Sequence, residues 1–274
     1  MDDADGYFPE RVAATYDDSS EGMFDPAFTD TVAEVLAGLA GGGRALEFGI
    51  GTGRIALPLA GRGVEVHGID LSRAMVARLR AKPGGEAIPV AIGDFATTTM
   101  DGTFSLAYLV FNTIMNLTTQ DAQVACFRNA AAHLEPGGCF VIEVEVPELR
   151  RLPPGQNMLP WQVTPTQWAF DVYETASQAM SSNYITLTDG RGEYRSIPFR
   201  YVWPSELDLM ARLAGCGCAT GGRTGTASRS PARAAGTSRS GRRPKNGRAP
   251  SSACASPGRP ASLPARRAAG WSRP

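Results

Sequence analysis

Apolar and polar positions alternate along the middle of this chain in two periods. Short apolar runs predict strands at Ala45–Phe48, Val64–Asp70, Ile88–Phe95, Phe104–Phe111 and within Leu134–Glu143. Between them, spacing of three to four residues predicts helices at Ile55–Ala60, Arg73–Arg80 and Gln120–His133. The run Phe104–Phe111 is almost continuously apolar, as expected of a strand covered on both faces. Upstream, Tyr7, Phe8, Val12 and Tyr16 share one helical stripe, and Phe28, Val32, Val35, Leu36 and Leu39 another, which Gly41–Gly43 stops. Downstream of Val146 the pattern changes. Residues 150–165 are Pro-rich and read as irregular. Gln167–Tyr173, Ser182–Thr188 and Glu193–Trp203 then read as antiparallel strands, with a hairpin turn at Thr188–Arg191. Pro204, Ser205 and Glu206 open a helix running to Leu213.

The candidate chemistry lies where the strands end. Glu47-Phe-Gly49-Ile-Gly51-Thr-Gly53-Arg54 joins the first strand to a helix through three glycines at alternate positions. Such a turn lets a ligand approach the main chain closely and faces it with a helix N-terminus. The dinucleotide fingerprint needs glycine where Arg54 stands, and no GxxxxGK[ST] phosphate loop is present. Asp70 ends the second strand, where an acid accepts from ribose hydroxyls; the other reading is that Asp70-Leu71-Ser72 caps the next helix. Asp94 and Phe95 end the third strand, Phe111 and Asn112 the fourth, and a Pro136-Gly137-Gly138 turn precedes the fifth.

This ordered set resembles the class I S-adenosylmethionine-dependent methyltransferases, strongly over about residues 40–148 and loosely over 1–215. The resemblance implies a doubly wound, mostly parallel α/β sheet that binds S-adenosyl-L-methionine, followed by an antiparallel β insertion. It implies cofactor-binding roles for Glu47, Gly49, Gly51, Gly53, Asp70, Leu71, Asp94, Phe95, Phe111 and Asn112. Asp70 would take the ribose, Asp94 and Phe95 the adenine, and Phe111-Asn112 the methionine half and the substrate mouth. The sequence departs from [DN]PP[YFW] at Asn112, which disfavours methylation of DNA bases or glutamine amides. On this reading residues 1–40 are a helical lid, 41–148 the cofactor core, 149–204 the insertion, 205–215 a core helix and 216–274 a tail. The insertion would shape the substrate pocket or pair subunits in a homodimer, and most of its many aromatic rings would form a small second core.

Composition changes the picture only for the tail. The formal net charge is zero, yet no Asp or Glu follows Asp208. Residues 216–274 hold eleven Arg and Lys245, leaving 15 basic groups against all 27 acids in residues 1–215. All but seven of those 59 tail residues are Ala, Arg, Gly, Pro, Ser or Thr, which cannot bury a core and should be disordered. The two last strands of the family's sheet are not visible there. One reading is a shifted reading frame after Gly215, since codon degeneracy permits an alternative frame ending in His-Val-Ser-Val-Trp with acids restored. The other is a native basic tail. Without aromatic interleaving, the tail speaks against an RNA partner. Five cysteines without metal-ligand spacing predict no metal site. An acidic N-terminus with no apolar core, and no long apolar run, predict a cytoplasmic protein without a membrane span.

The expected function is transfer of the methyl group of S-adenosylmethionine to a nitrogen or oxygen of a small metabolite. Alignment and a dry site are the protein's main contribution. An amine that attacks in its neutral form needs no strong base; a hydroxyl does. Tyr16, Glu143 and Glu145 are the candidate bases. His67 reads as a buried, hydrogen-bonded residue and His133 as a surface residue at a helix end. An aminopropyl-transferase-like enzyme and an inactive, truncated chain of the same fold remain as alternatives.

Overall fold

The computed structural model describes residues 6–19, 25–217 and 266–273. Two four-residue helices, α1 (Glu10–Ala13) and α2 (Tyr16–Ser19), precede α3 (Pro26–Ala40). Asp25 caps α3 by accepting from the Ala27 amide at 3.0 Å, Pro26 sits where no amide is needed, and Gly41 closes it in the left-handed conformation. Then come β1 (Ala45–Phe48), α4 (Ala56–Ala60), β2 (Val66–Asp70), α5 (Arg73–Arg80), β3 (Val90–Ile92), β4 (Phe104–Leu109), α6 (Gln120–His133) and β5 (Leu134–Glu145). Strands β3, β2, β1, β4 and β5 lie side by side in that order, all parallel. This is the doubly wound sheet implied by the sequence.

Both faces of the sheet are covered. Ala45, Val66, Leu106, Tyr108 and Val141 pack with Ala33, Leu36 and Ala40 of α3 and Ala56 and Leu59 of α4. Leu46, Phe48, Ile69, Phe104, Leu109 and Phe140 pack on the opposite face with Phe127 and Ala130 of α6. Burial on both sides explains why these strands read as near-continuous apolar runs. The Pro-Gly-Gly segment lies inside β5 as a bulge, because Phe104 faces Leu134 while Leu106 faces Cys139.

The insertion is an antiparallel sheet of β6 (Met158–Val163), β7 (Gln167–Glu174), β8 (Ala179–Thr188) and β9 (Arg191–Arg200), in chain order. The β8–β9 turn places Asp189 and Gly190 at φ 51° and 76°, the doubly left-handed turn that suits a two-residue hairpin. Strand β6 was expected to be irregular. It holds Pro160 because it is an edge strand whose register slips between Pro160 and Gln162. The expected second aromatic core is corrected: Tyr173 and Tyr201 join the main core, whereas Trp161, Trp168 and Tyr194 are exposed. Helix α7 (Pro204–Leu213) follows and packs Leu207, Met210 and Ala211 into that same core.

The tail expected to be disordered contains a strand at its end. Arg266–Ser272 forms β10, antiparallel to β5 from Arg266 opposite Glu145 to Ser272 opposite Cys139. The free edge of β5 offers a row of backbone donors and acceptors, and pairing them requires no particular side chain. The rest of the tail, 218–265, including most of the segment where a shifted frame was considered, lies outside the described residues.

Candidate active site

The carboxyl ends of β1, β2, β3 and β4 meet along one edge of the sheet, where open α/β sheets bind ligands. Beneath that edge Glu47 is 3% exposed and accepts from the Tyr108 hydroxyl at 2.9 Å. Burial pushes its pKa up to about 8, against the Tyr108 hydrogen bond and the charge of Arg54. The three glycines of the loop are not equivalent. All have positive φ, but a side-chain carbon at Gly49 would lie 2.6 Å from Thr113 Cγ2, and at Gly53 2.3 Å from Leu79 Cδ1. Those two are filled by packing. At Gly51 the nearest atom would be Met75 Cε at 3.5 Å, so this turn keeps room beside the main chain.

Asp70 is not the cap of α5. Ser72 is, accepting from the Met75 amide at 3.1 Å. Asp70 instead joins the glycine loop to the start of α5: the Gly51 amide donates to Oδ2 at 2.7 Å and the Ser72 amide to Oδ1 at 2.8 Å. Leu71 beside it is 44% exposed. After β3, exposed Asp94 accepts from the Ala96 amide at 2.8 Å, and buried Phe95 packs 6.1 Å from Phe48. This loop is clipped from α6. Asn129 donates to the Phe95 and Thr98 carbonyls at 2.9 and 2.8 Å, and His133 Nε2 accepts from the Met100 amide at 2.8 Å. The surface role expected of His133 is therefore corrected, since the side chain is buried because it anchors a loop. His67 is buried with Glu65 Oε1 at 2.8 Å, as its place in a strand implied.

Beyond β4, Phe111 and Asn112 both adopt left-handed conformations, φ 60° and 59°. For Phe111 this costs energy, and neighbouring groups hold it there. The Phe111 amide donates to Glu143 Oε2 at 3.2 Å, the Asn112 amide to the Glu143 carbonyl at 3.2 Å, and the Glu145 amide to Asn112 Oδ1. Of the candidate bases, Glu143 thus supports a strained turn, while Glu145 is exposed at the end of β5. Tyr16 is half-buried, and burial raises its pKa, offset in part by Arg54. It keeps its proton at neutral pH.

Several residues at the site carry no sequence motif. The Arg54 guanidinium stacks on the Phe111 ring. Lys82 pairs with Asp17 and donates to the Thr52 carbonyl at 2.8 Å, and the Thr52 hydroxyl donates to Asp17 at 2.7 Å. The Ser72 hydroxyl donates to the Phe8 carbonyl at 2.7 Å. The N-terminal segment is tied by these contacts to the glycine loop and to the start of α5. Phe8 and Tyr16 also pack on Ala74 and Met75. The one visible signal was that Lys82 is the single lysine of residues 1–215.

A family described as Methyltransferase domain matches residues 45–138. The cypemycin N-terminal methyltransferase of Streptomyces sp is 31% identical over 182 residues, covering 62% of this chain and 71% of that protein. The CcbJ methyltransferase of Streptomyces caelestis is 35% identical with a TM-score of 0.65, covering 77% of this chain and 88% of that one. The chain belongs to the class I S-adenosylmethionine-dependent methyltransferases. The methyltransferase shares its fold with CalS10 of Micromonospora echinaspora, solved with S-adenosylmethionine bound, at 23% identity and a TM-score of 0.59 over 76% of this chain and 89% of that one. Among its described residues no helix is long and apolar enough to cross a membrane, and no cluster of three or more His, Cys, Asp or Glu could hold a metal.

Proposed function

We propose that this methyltransferase N-methylates an amine of a small-molecule metabolite. The observation that carries this reading is that no tyrosine or histidine among the described residues stands ready to take a proton from a hydroxyl. Tyr16, Tyr173 and Tyr184 all have pKa values raised by burial, so they hold their protons. Both histidines are engaged inside the core. A hydroxyl acceptor would need its proton removed as it attacks, whereas an amine brings its own lone pair. The 31% identity to the cypemycin N-terminal methyltransferase supports an amine acceptor.

S-adenosylmethionine supplies, when bound, an electrophilic methyl group that needs no further activation. We assign Asp70 to the ribose hydroxyls, Asp94 and Phe95 to the adenine, and the open turn at Gly51, with Glu47 beneath it, to the methionine portion. Leu71 covers the ribose side, and Phe111 and Asn112 face the acceptor. Tyr16, with its proton retained, orients the acceptor and helps exclude water. Glu145, exposed at the end of β5, receives the proton the product nitrogen releases and passes it to solvent.

Carbon-13 labelled cofactor and small-molecule extract test this together. N-methyl and O-methyl carbons give separate resonances in the product. An N-methyl signal in the small-molecule fraction is expected; an O-methyl signal, or label only in protein or RNA, overturns the proposal.

A further inference from the structure

Asp171 is a partly buried carboxylate to which the fold gives no counter-charge. On β7 it points to the same side as buried Ala169 and Tyr173. Trp161 Nε1 donates to Oδ1 at 3.2 Å, the Ser182 hydroxyl to the same oxygen at 2.7 Å, and the Tyr173 hydroxyl to Oδ2 at 3.2 Å. All three donors are neutral. Among the described residues no Lys, Arg or His forms an ion pair with it. Glu206 shows the contrast, since Arg200 pairs with it at 2.7 Å and its pKa is lowered. The Asp171 pKa stays raised by burial despite three hydrogen bonds. Arg195 is turned to the Tyr184 ring, 4.7 Å from its centroid.

The surroundings put this carboxylate on the acceptor side of the site. Trp161 and Tyr184 meet edge to face at 5.7 Å. Tyr184 interacts electrostatically with both Asp171 and Tyr16, and Tyr173 with both Asp171 and Glu145. Arg11 of α1 pairs with Glu193 of β9 at 3.6 Å, so the N-terminal segment reaches the insertion. An aromatic-walled carboxylate thus lies between the lid and the end of β5.

We propose that Asp171, walled by Trp161, Tyr173 and Tyr184, anchors a cationic ammonium group of the methyl acceptor. This rests on the amine reading above and narrows it to acceptors that carry a second, cationic amine beside the neutral nitrogen that attacks. A partly desolvated carboxylate gains most from a ligand that brings the missing charge. A neutral polyol or phenol leaves the carboxylate uncompensated, which is the source of discrimination.

The test uses the full chain saturated with S-adenosylhomocysteine and two near-isosteric probes, benzylamine and benzyl alcohol, titrated by calorimetry or ligand-observed NMR. Wild type is expected to bind benzylamine about tenfold tighter or more, the scale of a charged hydrogen bond. Asp171→Asn keeps an oxygen for Trp161 and Ser182, and is expected to erase that preference while leaving S-adenosylhomocysteine affinity and thermal stability unchanged. Equal binding of the two probes by wild type, or a preference that survives in Asp171→Asn, overturns the assignment, and the first outcome does not depend on the variant folding. N-methyl product formed by Asp171→Asn with unchanged KM sinks the anchor but leaves the amine reading standing. An Asp171-dependent benzylamine preference with only O-methyl product sinks the amine reading and leaves a cation site.

Discussion

Glu47 shows what one residue contributes here. Its folded pKa of about 8 stands above the ordinary 4.5, so the folded protein holds a proton that the unfolded chain releases. That contribution is fully present below pH 4.5 and is lost as pH rises through about 8. Denaturant midpoints of the ligand-free protein should fall between about pH 5 and pH 9, and Glu47→Gln should flatten that slope. The glycines separate packing from binding. Gly53→Ala drives a carbon to 2.3 Å from Leu79 Cδ1 and should cost about 1–3 kcal/mol of stability in thermal or chemical unfolding. Gly51→Ala has space, should cost only about 1–2 kcal/mol for its left-handed backbone, and should show its main effect in calorimetric affinity for S-adenosylmethionine. Asp70→Ala should weaken that affinity by roughly 1.5–3 kcal/mol while Ser72 keeps α5 capped.

Among the elements, α1 and α2 are too short to be stable alone and depend on their ties to the glycine loop and α5. Lys82→Met breaks the pair with Asp17 and the bond to Thr52 together. The pair is partly exposed, so overall stability should change by less than about 1 kcal/mol. Turnover should fall several-fold, because the N-terminal segment no longer closes on the site; stopped-flow and steady-state rates would show this, and unchanged turnover would deny the segment a lid's role. The joint between the insertion and the core behaves differently. Arg200 is 6% exposed and is held by Glu206, Gln123 and Gln178. Arg200→Met strands the partly buried Glu206 carboxylate and should cost about 3–5 kcal/mol in chemical unfolding.

At the scale of the molecule, the sheet closes on β10, whose pairing shields the outer edge of β5. In a chain cut after Gly217, backbone amides of Cys139–Glu145 should exchange faster with solvent hydrogen, and the protein should aggregate more readily. Unchanged exchange would mean that β10 contributes little to the edge. The reading-frame question belongs to the gene, and sequencing it answers whether the frame after Gly215 continues into the acids and alternating strand that its codons permit.

Apolar periodicity alone placed the strands and helices from Ala45 to Leu213 apart from β6, because burial on one or both faces writes its period into apolar positions, whereas an edge strand holding Pro160 leaves no such record. It also located Glu47, Asp70, Asp94 and Phe111 at strand ends, because a parallel sheet brings those ends to one edge. Helices Arg73–Arg80 and Gln120–His133 were legible to the residue, since a Ser or Thr cap marks each start. Which polar residues face one another emerges only from packing. Asp171 looks like any charge in a strand until Trp161, Tyr173 and Ser182 converge on it, and His133 like any helix end until the Met100 amide meets it. Arg54 marked only a broken fingerprint until it stacked on Phe111. The His133 and Arg54 pairings join residues far apart in the chain, and those of Asp171 depend on strand register; no local period records either, and the backbone pairing of β10 with β5 is blind to side chains altogether.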